Sequence, residues 1–457
     1  MTILTNLAEQ ACDAAPPDVE IQSGLERARR GVLALATLDF EARTHILKRA
    51  TVLMQSRKND LVAEMVRETA MPIKHARELF DMSLKKLEFG YGYTKFMHGE
   101  SFPETAPDRV AFTLSEPYGV VLGVFPFISP LYLAAEIFSA TLVTGNALIF
   151  HAPRQVENSF RQMVAVFHEA GVPPEAIVML SGQDNDIVLQ LAREEEVDMI
   201  LSMSGSYGKR LSTIAGEHMK QVWLSITGKN PTIVFADADL DLAAKYIAWG
   251  ATFISGLVCT DIEIVLVQRT VAERFKDVLL KELESLRIGD PWEEETDIGP
   301  IIFPKLVENA DRQIEDAVSR GARLLSGGGS KDGFFVPTVI DQVHSDMAIA
   351  NERTSAPIVP IIEFDTDDEA LDIANANPYG LRAAVFTKSI DTAFKAARGL
   401  HASGVMINHA PFHHHTLYPD GGYKESGFGT LRYLIEELRR KKLVVFHHLP
   451  MSTAVES

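Results

Sequence analysis

Two thiols occur in 457 residues, Cys12 and Cys259, and Cys259 ends the run Ile254-Ser255-Gly256-Leu257-Val258-Cys259. A single thiol behind a glycine, in a stretch too short and mixed for a core helix, has the makings of a nucleophile. The same thiol among Phe253, Ile254, Leu257 and Val258 would also serve as a small packed hydrophobe, so the rest of the chain has to decide. His409, with His413, His414 and His415, forms a second group of chemically capable residues. Imidazole titrates near neutrality, which opens a base or an anion-binding role to them. Three consecutive histidines on a loop point in different directions and cannot easily converge on an ion, so no metal site is read. Asp261 and Glu263, close to the thiol in sequence, are expected on a helix face or in a salt bridge.

These groups must be held by the elements around them. Residues 42–54 and 61–68 carry apolar residues at three- and four-residue spacing and read as helices, like most of the first ninety residues. From Glu116 the texture changes. Gly119–Phe125, Asn146–Phe150 and Ile177–Leu180 are short β-branched runs with helical stretches between, the pattern of a parallel sheet covered on both faces. Such a sheet binds ligands at the carboxyl ends of its strands, where Phe125-Pro126-Phe127-Ile128-Ser129-Pro130 and His151-Ala152-Pro153-Arg154 would lie. A second unit follows Gly228-Lys229-Asn230-Pro231, with strands at 232–235, 264–267, 383–386 and 405–408 and a helix opened by Asp239 and Asp241. The fold class is α/β, two lobes meeting near Gly228. Arg439-Arg440-Lys441-Lys442 reads as the charged end of a helix. The tail Lys442–Phe446 reads as a strand that pairs with another chain's sheet.

Composition narrows the function. A chain that is 46% hydrophobic and 23% charged is ordinary globular material, long enough for two or three domains. A net charge of −18 argues against nucleic acid or an anionic membrane as partner, because both require a basic face. Two cysteines make no disulfide framework, no apolar run reaches the length of a membrane span, and no basic, apolar leader opens the chain. A cytoplasmic protein is expected.

In Glu116-Pro117-Tyr118-Gly119-Val120-Val121, Gly171-Val172-Pro173-Pro174, Asn230-Pro231 with Ile233 to Asp241, Asp297-Ile298-Gly299-Pro300, Asn377-Pro378-Tyr379-Gly380-Leu381 and Gly421 to Gly427, the chain resembles the aldehyde dehydrogenase superfamily along its length. The resemblance implies a Rossmann-type dinucleotide-binding domain (1–98 and 118–227), an α/β catalytic domain (228–432), and a small β oligomerisation extension (99–117 and 433–457). It implies a homodimer or homotetramer, NAD or NADP as cofactor, and a small-molecule aldehyde as substrate. It puts Cys259 at the nucleophile's position. It puts Phe125, Pro126, Phe127, His151, Arg154, Ser204, Gly208, Ile226, Gly228 and Arg353 around the cofactor. The substrate pocket would take Ile128, Ser225, His409, His413, His414, His415 and Asp420.

Several of these positions depart from the family's pattern. Ile128 stands where the family has an oxyanion-binding amide, and Ser225 where it has a general-base glutamate, with Thr227 for a glycine. Losing one oxyanion donor costs about two to three orders of magnitude in rate, and losing a general base about two to four. Three readings stay open: acyl transfer from the Cys259 thioester to coenzyme A, hydrolysis with a histidine as the base, or a binding or scaffold protein that has lost the chemistry. His151 and Arg154 replace a lysine and a glutamate near the adenosine ribose. Arg154 would favour the 2′-phosphate of NADP. Arg353 replaces the glutamate that grips the nicotinamide ribose and cannot accept its hydroxyls. In Ser202-Met203-Ser204-Gly205-Ser206-Tyr207-Gly208, the phosphate turn keeps Ser204 and Gly208. Asp420 and the histidines suggest a polar aldehyde, and Asn408 and Tyr423-Lys424 are expected on the substrate side.

Overall fold

A computed structural model describes residues 17–93, 98–103, 108–181, 186–205, 207–331, 333–412, 418, 421–428 and 434–447. Four helices open it: α1 (Pro17–Ala36), α2 (Phe40–Ser56), α3 (Lys58–Thr69) and α4 (Ile73–Tyr93). The Asp39 carboxylate starts α2 by accepting the Ala42 N–H at 2.8 Å, and the helix buries Ile46, Leu47, Ala50 and Met54 on one face. Next come β1 (Ser101–Phe102), β2 (Val110–Pro117), β3 (Val120–Val124), α5 (Pro130–Thr144), β4 (Ala147–His151), α6 (Glu157–Ala170) and β5 (Ile177–Leu180). They are followed by α7 (Ile187–Arg193), β6 (Met199–Ser202), α8 (Gly208–Glu217) and β7 (Gln221–Ser225). The strand runs read from the sequence therefore form, each within a residue or two.

Strands β3 to β7 pair in parallel in the order β7-β6-β3-β4-β5. Every residue of β3 and of α5 is buried, which is why both read as continuous apolar runs rather than alternating ones. From β3 the chain crosses first to one side, to β4 and β5, and then to the other, to β6 and β7. The point of reversal lies between β3 and β6, and a crevice opens there at their carboxyl ends.

Only residues 226–230 separate β7 from β8 (Pro231–Val234), the first strand of a second sheet. This sheet continues through α9 (Leu240–Thr252), β9 (Ile264–Gln268), β10 (Arg323–Ser326), a hairpin of β11 (Gly329–Lys331) and β12 (Phe334–Val336), and β13 (Thr338–Asp341). It ends with β14 (Ile358–Phe364), the two-residue β15 (Tyr379–Gly380), β16 (Arg382–Phe386) and β17 (Gly404–Ile407). The order is β10-β13-β14-β9-β8-β16-β17, parallel except for β10. Because β7 leads almost directly into β8, the carboxyl edge of the first sheet faces the amino edge of the second. Strand β18 (Tyr423–Lys424) pairs with β15, and β19 (Gly427–Phe428) returns to pair with β7 of the first sheet.

A third sheet, β1-β2-β20, uses the tail strand β20 (Arg439–Phe446). One expectation is corrected here. Residues 439–442 are strand, not a helix end: Lys441 and Lys442 pair across the sheet with Glu100 and Glu116, and Arg440 donates to the Tyr118 carbonyl at 2.8 Å. The tail strand forms as expected and pairs with the chain's own β2 over eight residue pairs, which leaves β20 at the edge of this sheet among the described residues. No helix among the described residues is long and apolar enough to cross a membrane.

Candidate active site

The turn before Cys259 is strained, and its neighbours hold it in place. After α9, which Asp239 caps through the Leu242 N–H at 3.1 Å, the chain runs Ile254 (φ 50°), Ser255 (φ 56°) and Gly256 (φ 73°), three left-handed residues in a row. Each non-glycine residue in that region costs about 1–3 kcal/mol. His75 of α4 accepts the Ile254 N–H on Nδ1 at 3.3 Å, its ring 4.6 Å from that of Phe253. The Ser255 hydroxyl donates to the Gly299 carbonyl at 3.0 Å. At Gly256 a Cβ would lie 2.5 Å from the Ala356 carbonyl carbon, so only glycine fits. Cys259 follows this turn as a half-buried residue outside any disulfide. It is not a closed core residue.

Asn230 fixes the loop from the other side. Its Nδ2 donates to the carbonyls of Cys259 at 2.9 Å and Asp261 at 2.8 Å, while its Oδ1 accepts the Arg382 N–H at 3.0 Å. One buried amide thereby ties together the entrances to β8, β9 and β16. Next to it lies a charge network in which Lys229, Asp261 and Glu263 are buried and Arg353 is half-buried. Arg353 reaches Asp261 with two N–H groups at 2.7 and 3.2 Å and Glu263 at 2.7 Å. It also donates to the Val258 carbonyl at 2.6 Å and the Ser355 hydroxyl at 3.1 Å. Lys229 completes the group, bonded to Glu263 at 2.9 Å and the Thr354 hydroxyl at 3.0 Å.

Two cations and two carboxylates balance, but unequally. Burial would raise Glu263, yet Arg353 and Lys229 together hold it below the usual carboxylate range. Burial drives Asp261 well upward; Arg353 resists and the like charge of Glu263 adds to the rise. Arg353 is held more firmly protonated than usual, its two carboxylates outweighing burial. His75 is pushed down to about 3 by burial, with Lys74 adding to the effect and Asp297 opposing it, so the ring under the turn is neutral.

The first sheet supplies the facing wall. Ile128 and Ser225 are buried at the carboxyl ends of β3 and β7, and neither is ionisable. The ring of Phe125 packs 5.2 Å from Phe150 and 5.0 Å from Phe160, in the core rather than toward a ligand. Pro126 and Phe127 are half-buried, and Phe127 lies 4.3 Å from the Phe303 ring. Ser204 is buried in the turn after β6, and Gly208 opens α8, where a Cβ would meet Ile226 Cδ1 at 2.6 Å. That close approach packs the start of α8 against the link that follows β7, and a helix amino end of this kind is chemically suited to a dinucleotide phosphate. Half-buried His151 ends β4, and exposed Arg154 begins the following 3₁₀ turn. Gly228 lies in the link between the sheets, where a Cβ would meet Asn230 Oδ1 at 2.4 Å.

Other expected residues lie elsewhere. Arg353 does not reach out to a ribose; its guanidinium turns inward to Asp261 and Glu263. His409 stacks 4.4 Å from Tyr246 along α9, in an aromatic row that reaches the turn through Trp249, Phe253 and Phe412. Asn408 is not on the nucleophile's side: at the carboxyl end of β17 it exchanges two 3.0 Å hydrogen bonds with Thr387. Lys424 donates to the carbonyls of Asn375 and Asn377, a structural role. His413, His414, His415 and Asp420 lie outside the described residues. Sequence reasoning missed His75, whose partner Ile254 is 179 positions away and leaves no local signal.

The profile of the aldehyde dehydrogenase family matches residues 10–443. A lactaldehyde dehydrogenase of Methanocaldococcus jannaschii is 30% identical over 434 residues, covering 93% of this chain and 92% of its own length. A 3-sulfolactaldehyde dehydrogenase of Priestia aryabhattai is 30% identical over 413 residues, covering 89% and 86%. Among solved structures, glyceraldehyde-3-phosphate dehydrogenase from Methanocaldococcus jannaschii, complexed with NADP, superposes with a TM-score of 0.90 at 29% identity, covering 96% of each chain. With the family profile spanning nearly the whole chain, relatives at this identity and a shared fold, the chain belongs to the aldehyde dehydrogenase family.

Proposed function

We propose that this enzyme oxidises a small polar aldehyde with NADP or NAD, through a thiohemiacetal and then a thioester on Cys259. The observation that carries the reading is the half-buried cysteine that follows a strained turn and precedes β9 of the second sheet. The Cys259 thiolate adds to the carbonyl carbon, and the carbonyl π electrons move to oxygen. The backbone N–H of Cys259 donates to that oxygen; Ile128 adds no donor. NAD(P), when bound, supplies the hydride acceptor. The first-sheet crevice, with the Ser204 turn and the start of α8, suits its phosphates. Exposed Arg154 at the end of β4 favours a 2′-phosphate, hence NADP. The relatives named for lactaldehyde and 3-sulfolactaldehyde support a small, oxygen-rich substrate.

The thioester's acceptor is the second question. Ser225 is no base, and Asp261 and Glu263 are committed to Arg353 and Lys229. This favours acyl transfer to a thiol such as coenzyme A as the second reading; hydrolysis would need a histidine of the 409–415 segment. We also read the three-stranded sheet as the assembly surface of a dimer or tetramer, because Phe102, Leu114, Leu443 and Phe446 expose apolar side chains there.

The test is reduced-nicotinamide formation at near-stoichiometric enzyme, with NADP or NAD, using lactaldehyde, 3-sulfolactaldehyde and an alkyl aldehyde, with and without coenzyme A. A burst of about one equivalent is expected, larger with NADP and with the polar aldehydes, and absent in Cys259→Ala. Steady turnover only with coenzyme A establishes acyl transfer, whereas steady turnover without it establishes hydrolysis. No burst, with no cofactor binding by calorimetry, would refute the enzyme reading in favour of a binding or scaffold protein.

A further inference from the structure

We propose that Arg353 sets the charge state of Cys259: its guanidinium, bonded to the peptide that precedes the thiol, holds the nucleophile in place and favours thiolate over thiol. The inference rests on the reading of Cys259 as the nucleophile and names the group that activates it.

The geometry is specific. The Arg353 N–H bonded at 2.6 Å to the Val258 carbonyl grips the peptide unit whose other end is the Cys259 N–H. On the far side the Cys259 carbonyl is held at 2.9 Å by Asn230. Both peptides flanking the thiol are therefore fixed, one of them by a full positive charge. A cation on a carbonyl polarises that amide and makes its N–H a stronger donor. In this chain that N–H is the remaining oxyanion donor, since Ile128 offers none.

Bonded to the carbonyl of the residue before Cys259, the same cation stands one peptide unit from the thiol-bearing residue. A thiol beside an Arg commonly ionises well below its free value of about 8.5. The groups facing Arg353 must be weighed together. Asp261 and Glu263 come from the loop into β9, Lys229 from the link between the sheets, and Tyr379 from β15. Lys229 offsets Glu263, which leaves Asp261 as the carboxylate that opposes the guanidinium. Burial works against charge on Asp261. Burial works against the charge on Lys229 as well, so the sum of the four gives no bias; among these side chains Arg353 is the one bonded to the Val258–Cys259 peptide, and its charge is therefore the one directed at the nucleophile. On ionisation the proton leaves Cys259 for solvent, and no electron transfer is involved.

Arg353 is thus a positioning residue acting through the Val258–Cys259 peptide, not a cofactor contact. The replacement of a ribose-gripping carboxylate, which looks like damage in the sequence, becomes a gain at the nucleophile.

The experiment titrates the thiol directly, in a Cys12→Ser background, by following iodoacetamide alkylation of Cys259 by mass spectrometry from pH 5 to 10. The wild-type midpoint is expected below that of a free thiol. In Arg353→Met it rises, each unit lowering the alkylation rate near neutrality about tenfold. Arg353→Lys, which keeps the charge but loses the fork, falls between the two. Asp261→Asn, which removes only a carboxyl whose charge burial already disfavours, does not raise the midpoint. Circular dichroism identifies any variant that fails to fold. Equal midpoints in wild type and Arg353→Met would overturn the proposal, as would shifts of one sign in all three variants, the mark of a loosened loop. The titration needs no substrate. Persistence of aldehyde oxidation in Cys259→Ala would refute the nucleophile reading while leaving the titration result intact.

Discussion

At Asn230 a single side chain makes three hydrogen bonds, two donated to the Cys259 loop and one accepted from the start of β16. None can be transferred to water, since the residue is fully buried. Asn230→Ala is expected to cost at least about 2 kcal/mol, because each buried polar group left unpaired carries a penalty of about 1–3 kcal/mol. Chemical denaturation should report the loss, and the single-turnover burst should fall with it. Asn230→Asp should be no milder, because a carboxylate would face two carbonyl oxygens. A stability equal to wild type in both variants would show that the clamp is dispensable. In sequence, Asn230-Pro231 stood out as a motif, but nothing in the motif identified which carbonyls the amide would serve.

Among the elements, helix α4 is joined to the turn before Cys259 through His75, and this contact has a pH dependence of definite sign. The ring's folded pKa, about 3, lies below the usual value of about 6.5 for free imidazole. The stability it contributes is therefore present above pH 6.5 and lost as the pH falls from there toward 3. A protonated ring would also carry a hydrogen on Nδ1 and could no longer accept the Ile254 N–H. Denaturation midpoints measured from pH 7 down to 4 should fall more steeply in wild type than in His75→Gln, which keeps an acceptor and does not titrate. Parallel curves would sink the assignment. The helix itself was legible from apolar spacing, whereas its use as a support for the turn was not.

For the whole molecule, the decisive feature is that two parallel sheets meet edge to edge, carboxyl ends against amino ends, because five residues join β7 to β8. The third sheet leaves β20 at its edge, with Leu443 and Phe446 exposed. Sedimentation is expected to show a dimer or tetramer that Leu443→Glu combined with Val445→Glu dissociates. A monomeric wild type would remove the assembly role from this sheet.

Local physics sufficed for much of this. Alternating apolar runs and helices specified two α/β lobes, and a glycine-led lone cysteine singled out the candidate nucleophile, because periodicity and residue chemistry are properties of short segments. The tail misled at Arg439 to Lys442, since a basic run is compatible with a helix end until Glu100 and Glu116 arrive from another strand to pair with it. Arg353 misled for the same reason. Its sequence position suggested a lost ribose contact, but its charge is answered by Asp261, 92 positions away, and by Glu263. Which buried charge meets which is decided by the crossing of strands far apart in the chain. Only the tertiary structure could turn an apparent defect in the cofactor site into a support for the thiol.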